Sequence, residues 1–354
     1  MMLHKNQGAN QQHPTARRRC RKGTEMRVGK SMWITLTGIV LLLLACIAGT
    51  TIGDRPISPD VAGQDTPAMT IGQAIILGVV EGLTEYLPVS STGHLLLAER
   101  MMGIGDSPSA SLAERQRTRD AADAYTICIQ AGAIIAVLGL YFRRVRQMLQ
   151  GLLGRDPDGN RLLVNVAAGF LPAAIIGLLF NKSIKAYLFG IWPVVVAWFV
   201  GGVAILAVGW YKRNTRGPAH QGLVIEELTW RMALVVGFAQ CIAMWPGVSR
   251  SLVTIVGGLV MGLSLSAAVE YSFLLGVVTL GAATAYDALK HGQMMLQTFE
   301  AMPIAIGLLF AFISAVVSVK WMVSYLNRHG LAVFGYYRIA IALATSAWII
   351  TGTL

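Results

Sequence analysis

The chain has 354 residues, of which 55% are hydrophobic and only 13% charged, well under the quarter or so that soluble domains carry. That balance excludes an ordinary soluble enzyme; the apolar runs have helix length and do not alternate, which excludes a membrane barrel and predicts an all-α polytopic bundle. The net charge of +11 comes from short basic clusters between apolar runs, the pattern of orientation signals, so no nucleic-acid partner is expected.

Residues 1–31 hold Arg17, Arg18, Arg19, Arg21, Lys22, Arg27 and Lys30 among few apolar side chains, and read as a cytoplasmic tail without a packed core. An extra N-terminal helix is expected over 32–52, where Trp33 to Ile52 is long enough to span. It reads as an uncleaved anchor, because a signal core has about 7–15 apolar residues; small Cys46 and Ala48 keep a cleaved signal as the competing reading. A polar linker with Pro56 and Pro59 covers 53–69, and a membrane domain fills 70–354. Cys20, Cys46, Cys128 and Cys241 show neither metal-ligand spacing nor a disulfide framework.

Within that domain, Arg143, Arg144, Arg146 and Arg155, then Lys212, Arg213 and Arg216, then Lys320 and Arg328, mark connections expected on the cytoplasmic side. Gly103 to Asp123 fits this alternation least, since Arg115, Arg117 and Arg119 are mixed with acids. Gln130 and Asn165, in apolar spans, read as hydrogen-bonding partners between helices.

One stretch interrupts the apolar pattern: Glu81 to Leu97, EGLTEYLPVSSTGHLLL. Glu81 and Glu85 stack one turn apart on a helix. Pro88 ends that helix by removing a donor and forcing Leu87 from helical geometry. Ser90, Ser91 and Thr92 are good N-caps for a second helix carrying His94 in its first turn. The segment Gly78 to Ser91 aligns without gaps on Gly237 to Arg250, matching Glu81 with Gln240, Tyr86 with Trp245, and Ser90 with Ser249. Met244 takes the place of Glu85, so the acids lie on one copy and the arginine on the other. By the charge alternation the copies enter from opposite faces, which predicts an inverted-topology repeat with two re-entrant broken helix pairs meeting near mid-bilayer.

The polar residues of the two breaks suit phosphate chemistry. Arg250 offers a planar fork for phosphate oxygens, and the helix starts around Ser90, Thr92, Ser249 and Ser251 aim free backbone donors at an anion. Glu81 and Glu85 form a candidate site for a hard divalent cation, Mg or Ca. Ser91 or His94 is placed to attack phosphorus or move a proton. Against this stand plainer readings: Glu81 or Glu85 paired with Arg250 only to hold the breaks together, and the hydroxyls acting only as caps.

EGLTEYLPVSSTGHLLL and PGVSRSLVTIVGGLVMGLS, with IQAGAIIAVLGLYFRR, LPAAIIGLLF, YSFLLGVVTLGAATAYDALK and FGYYRIAIA, resemble the undecaprenyl-diphosphate phosphatase, or bacitracin-resistance, family from about residue 70 onward. The resemblance implies a multi-pass bacterial inner-membrane hydrolase with its site facing the periplasm. Its reaction converts undecaprenyl diphosphate to undecaprenyl phosphate and inorganic phosphate, recycling the lipid carrier for peptidoglycan synthesis. It implies a divalent cation held by Glu81 and Glu85, a catalytic set of Glu85, Ser91, His94 and Arg250, and phosphate contacts from Ser90, Thr92, Ser249, Arg250 and Ser251. The expected partners are the lipid diphosphate and the bilayer, with a homodimer as one oligomeric option. Thr126 departs from the family pattern, standing where an acid often precedes the IQ pair. The rival reading is a polyprenyl-phosphate flippase or another inverted-repeat carrier.

Overall fold

The computed structural model describes residues 69–104, 112–188, 190–215, 222–299 and 301–352; the expected tail, anchor helix and nearly all of the linker lie outside them. In chain order the helices are α1 (Ile71–Thr84), α2 (Ser91–Met101), α3 (Leu112–Leu140), α4 (Phe142–Leu152), α5 (Pro157–Leu188), α6 (Ile191–Thr215), α7 (Trp230–Cys241), α8 (Arg250–Val260), α9 (Leu265–Thr298), α10 (Ala301–His329) and α11 (Ala332–Ile350). Single 3-10 turns cover Ile225–Glu227 and Ile242–Met244. Among the described residues, β-structure is limited to one isolated bridge, Leu223 to Leu263.

Six helices, α3, α5, α6, α9, α10 and α11, are long and apolar enough to cross a membrane. Leu171, Ile175, Leu178 and Leu179 of α5 and Val196, Val200 and Val203 of α6 are exposed, as a lipid-facing surface requires. The four helices beside the breaks are short: α1 has 14 residues, α7 has 12, and α2 and α8 have 11 each. At 1.5 Å per residue an 11-residue helix is about 16 Å long, roughly half of a ~30 Å hydrocarbon core.

Packing crosses between the two halves of the chain. α1 lies on α10, and α7 lies on α5. The contacts correspond: a Cβ on Gly78 would strike the backbone of Gly307, and one on Gly237 would strike the backbone of Gly169. Beside each crossing a buried tyrosine donates to a main-chain carbonyl, Tyr125 to Pro303 O at 3.2 Å and Tyr271 to Asn165 O at 2.9 Å. Gly78→Val is therefore expected to destabilise the fold by roughly 1–3 kcal/mol through overpacking, read as a lower thermal midpoint. Gly139→Ala, where an added methyl meets nothing within 4 Å, should leave the midpoint unchanged or raise it.

Three expectations change. Gly103 to Asp123 is not a connecting loop throughout, because α3 begins at Leu112; its Glu, Gln and Arg residues favour helix, and Gln116 donates to Asp120 one turn on. The basic segment after Phe142 is itself helical, and Arg144 does more than orient the chain. It pairs with Glu270 at 2.7 Å and Glu226 at 2.9 Å, fastening α4 to α9 and to the 3-10 turn at Ile225. The first break also opens earlier than Pro88 alone would impose, since α1 ends at Thr84 and Glu85 is its C-cap. Gln130 and Asn165 do bond between elements, to Thr284 Oγ1 at 3.3 Å and Leu228 O at 2.7 Å.

Candidate active site

The two breaks have the same local form. α1 starts on a capping box, Thr70 with Gln73, and α7 on a Thr229 cap. After each break the next helix starts on a serine whose side chain accepts from the backbone three residues on, Ser90 from Gly93 and Ser249 from Leu252. Both serines have positive φ, Ser90 at 74° and Ser249 at 75°, and they are the only described non-glycine residues that do. Such backbone costs about 1–3 kcal/mol and persists where the surroundings over-determine it.

What over-determines it is contact between the breaks. Ser251 Oγ donates to Leu87 O at 2.8 Å and lies 3.0 Å from Ser249 Oγ. Trp198 of α6 donates to Val89 O at 3.0 Å, and Trp245 of the second break donates to Pro193 O at 3.1 Å. The start of α6 is thus a wedge that both breaks grip. Ser90 and Ser249 cap α2 and α8, and Ser251 ties the second break to the first.

Glu85 is the meeting point. One carboxylate oxygen accepts from Ser91 Oγ and the other from Arg250 Nη2, the latter at 3.1 Å. Arg250 also donates through Nη1 to Ser272 O at 3.0 Å and lies over the Tyr86 ring, 5.2 Å from its centroid. Glu85, Ser91 and Arg250 are all largely or wholly buried. The acid of one break and the arginine of the other therefore form one charged unit.

The remaining expected residues divide. Glu81 is buried on the face of α1 that leads to Glu85, yet it does not pair with Arg250. His94 is turned to other partners: Nδ1 lies 2.6 Å from Ser90 O, Nε2 lies 2.8 Å from Tyr337 Oη, and the ring stacks on Tyr337. A carbonyl only accepts, so Nδ1 carries a proton, and Nε2 is engaged by the tyrosine hydroxyl. Thr92 is exposed.

Unsatisfied atoms gather in the same place. Of the five buried side-chain polar atoms without a hydrogen-bond partner among the described residues, four are Glu81 Oε1, Tyr86 Oη, Gln240 Nε2 and Arg250 Nε. Native interiors leave few such atoms, and three of these four adjoin Glu85: Glu81 lies one turn before it, Tyr86 follows it, and Arg250 is its ion-pair partner.

Sequence comparison places this arrangement. The profile described as bacitracin resistance protein BacA matches residues 74–344, which include both breaks and most of α11. The chain belongs to the BacA family. It is similar to the undecaprenyl-diphosphatase of Sorangium cellulosum, at 45% identity over 76% of this chain and 83% of that protein. It is also similar to undecaprenyl-diphosphatase 2 of Rhodospirillum rubrum, at 43% over 78% and 94%, and to the undecaprenyl-diphosphatase of Nitrosomonas europaea, at 42% over 77% and 92%.

For a divalent cation this BacA-family site offers a partial donor set. Glu81 Oε1 is buried and without a partner, which suits a cation. Among the described residues, however, no group of three or more His, Cys, Asp or Glu could hold one, and both Glu85 oxygens are engaged. The set fits an ion that takes its other ligands from substrate oxygens and water.

The site also contains residues to which the sequence reading gave no role, two of them, Tyr337 and Arg338, within the FGYYRIAIA stretch. Trp198, Tyr337 and Arg338 all touch the breaks or His94. Arg338 had a legible signal, an arginine two turns into an apolar 19-residue helix, since an ionisable residue inside a span is a functional hypothesis by default.

Proposed function

We propose that this protein hydrolyses undecaprenyl diphosphate to undecaprenyl phosphate and inorganic phosphate. The observation that carries the reading is Glu85, shared between a hydroxyl of its own half and a guanidinium of the other. Family membership and relatives named undecaprenyl-diphosphatase support the substrate. The lipid product re-enters peptidoglycan synthesis, and drawing down the diphosphate gives bacitracin resistance.

Ser91 is the nucleophile. Its Oγ attacks the terminal phosphorus and passes its proton to Glu85, and the bridging P–O bond breaks, releasing undecaprenyl phosphate. Glu85 then returns that proton to Ser91 Oγ as water attacks the phosphoserine and the Ser91 O–P bond breaks; the proton of the water passes to Glu85 and from it to the departing inorganic phosphate, so both side chains regain their starting states. No general acid is needed for the first departure, because a phosphate monoester has a second pKa of about 6 and leaves as an anion. Arg250 holds the terminal phosphate oxygens as charge develops on them. His94, with both ring nitrogens engaged, holds the turn that presents Ser91. Glu81 and Glu85 would hold a cation, which when bound neutralises charge on the diphosphate.

We read the four short helices as re-entrant and the two halves as an inverted repeat; the lengths of these helices and the corresponding glycine and tyrosine contacts support that reading. With the basic connections cytoplasmic, the site opens to the periplasmic face of the inner membrane. Purified protein should release phosphate from undecaprenyl diphosphate, falling at least about tenfold with EDTA and recovering with Mg or Ca. No release from folded, metal-supplied protein would overturn the hydrolase reading in favour of a lipid-phosphate carrier.

A further inference from the structure

Arg338 lies on α11, away from both breaks in sequence, and is fully buried with 0% exposure. Its guanidinium reaches main-chain carbonyls on three segments. Nη1 donates to Pro88 O of the first break at 3.4 Å, and Nη2 donates to Gly247 O of the second at 2.8 Å. Nη2 also donates to Ala197 O at 2.8 Å and Nε to Trp198 O at 3.4 Å, both on the α6 wedge. Among the described residues no carboxylate pairs with it.

A buried cation with no ion-pair partner is expensive, and here only main-chain carbonyls offset that cost. What the arginine does is therefore to be sought in those carbonyl contacts. The positions of those carbonyls indicate the task. Pro88 is three residues from Glu85 and three from Ser91, and Gly247 is three residues before Arg250. One planar group thus spans the two loops that deliver the base, the nucleophile and the phosphate grip.

We infer that Arg338 is a positioning residue for phosphate release: its guanidinium fixes the spacing of the two breaks, and so the register in which Glu85 and Ser91 meet Arg250. The inference rests on the hydrolase reading. It depends on the fork of donors and not on charge alone, since a lysine presents its three donors from a single nitrogen and lacks the width of the planar guanidinium.

Gly201 supplies an independent probe. It lies on α6 against the guanidinium, and a Cβ there would strike Nη2, Cζ and Nε of Arg338. Gly201→Ala therefore displaces the group while leaving its charge and its acceptor carbonyls in the chain.

The test measures kcat and KM for phosphate release from undecaprenyl diphosphate by wild type, Arg338→Lys, Gly201→Ala and the double variant, with thermal midpoints alongside. Each single variant should lose roughly 10- to 100-fold in kcat, the scale of a 1 Å misplacement, with KM within about threefold of wild type. The double variant should lose no more than the worse single, because both act on one clamp. A folded Arg338→Lys with wild-type kcat, a loss confined to KM, or multiplied losses in the double variant would each overturn the inference. If Arg338→Lys does not fold, Gly201→Ala decides by its kcat alone. Failure of both to fold marks a purely structural residue and overturns it as well. Wild-type release is the control: without it the hydrolase reading falls, and this inference falls with it.

Discussion

Arg250→Ala is expected to lower kcat/KM for phosphate release by about 10³-fold or more, the scale of losing a preorganised donor at a developing charge. The same change also leaves Glu85 buried without its cation, and breaking a buried pair from one side costs about 3–5 kcal/mol. Loss of activity and loss of fold therefore arrive together in this variant and must be separated. Pairing Arg250→Met with Glu85→Gln removes both charges and keeps similar volume, so the thermal midpoint should recover most of the way to wild type. Activity should not recover, because the phosphate grip and the base are both gone. Arg250→Lys should fold and keep part of the rate, since it retains a charge over Tyr86 but not the planar fork. Wild-type phosphate release from folded Arg250→Ala would remove Arg250 from the site.

The membrane class was legible because few charges and long apolar runs leave no soluble alternative. The breaks were legible for a related reason: a proline and a run of hydroxyls conflict with an apolar helix, and sequence-level conflicts of this kind collect at functional sites. Glu85, Ser91 and Arg250 could thus be named from residue type. Their pairing could not, because nothing local sets the approach of two loops more than 150 residues apart, with Glu85 and Arg250 separated by 165. The same gap explains His94, which by residue type belongs with the catalytic set but whose partners are Ser90 and a tyrosine 243 residues away.

What periodicity hid was support. Trp198 on α6 and Arg338 on α11 received no role from the sequence, yet both point inward and hold the breaks. A helix pattern gives the buried face of a span but not the backbone carbonyls that a buried donor will find there. Likewise the positive φ of Ser90 and Ser249 is a property of how the two halves close on each other, and a serine in the chain carries no mark of it.

Ser91→Ala should lower kcat by at least about 10³-fold while leaving KM close to wild type, since the role proposed for Ser91 is in the chemistry and not in binding. The fold should tolerate it: the cap of α2 is Ser90, not Ser91, and Glu85 keeps its bond to Arg250. Identity of the nucleophile can then be read from the intermediate. Substrate labelled on its terminal phosphate and quenched in acid during turnover should leave label on the wild-type protein, because a phosphoserine ester survives acid. A phosphohistidine is lost under the same quench. Acid-stable label that disappears in Ser91→Ala supports the serine. Label that is stable only in alkali, or that persists in Ser91→Ala, would move the attack to His94 and would require its Nε2 to leave Tyr337 first.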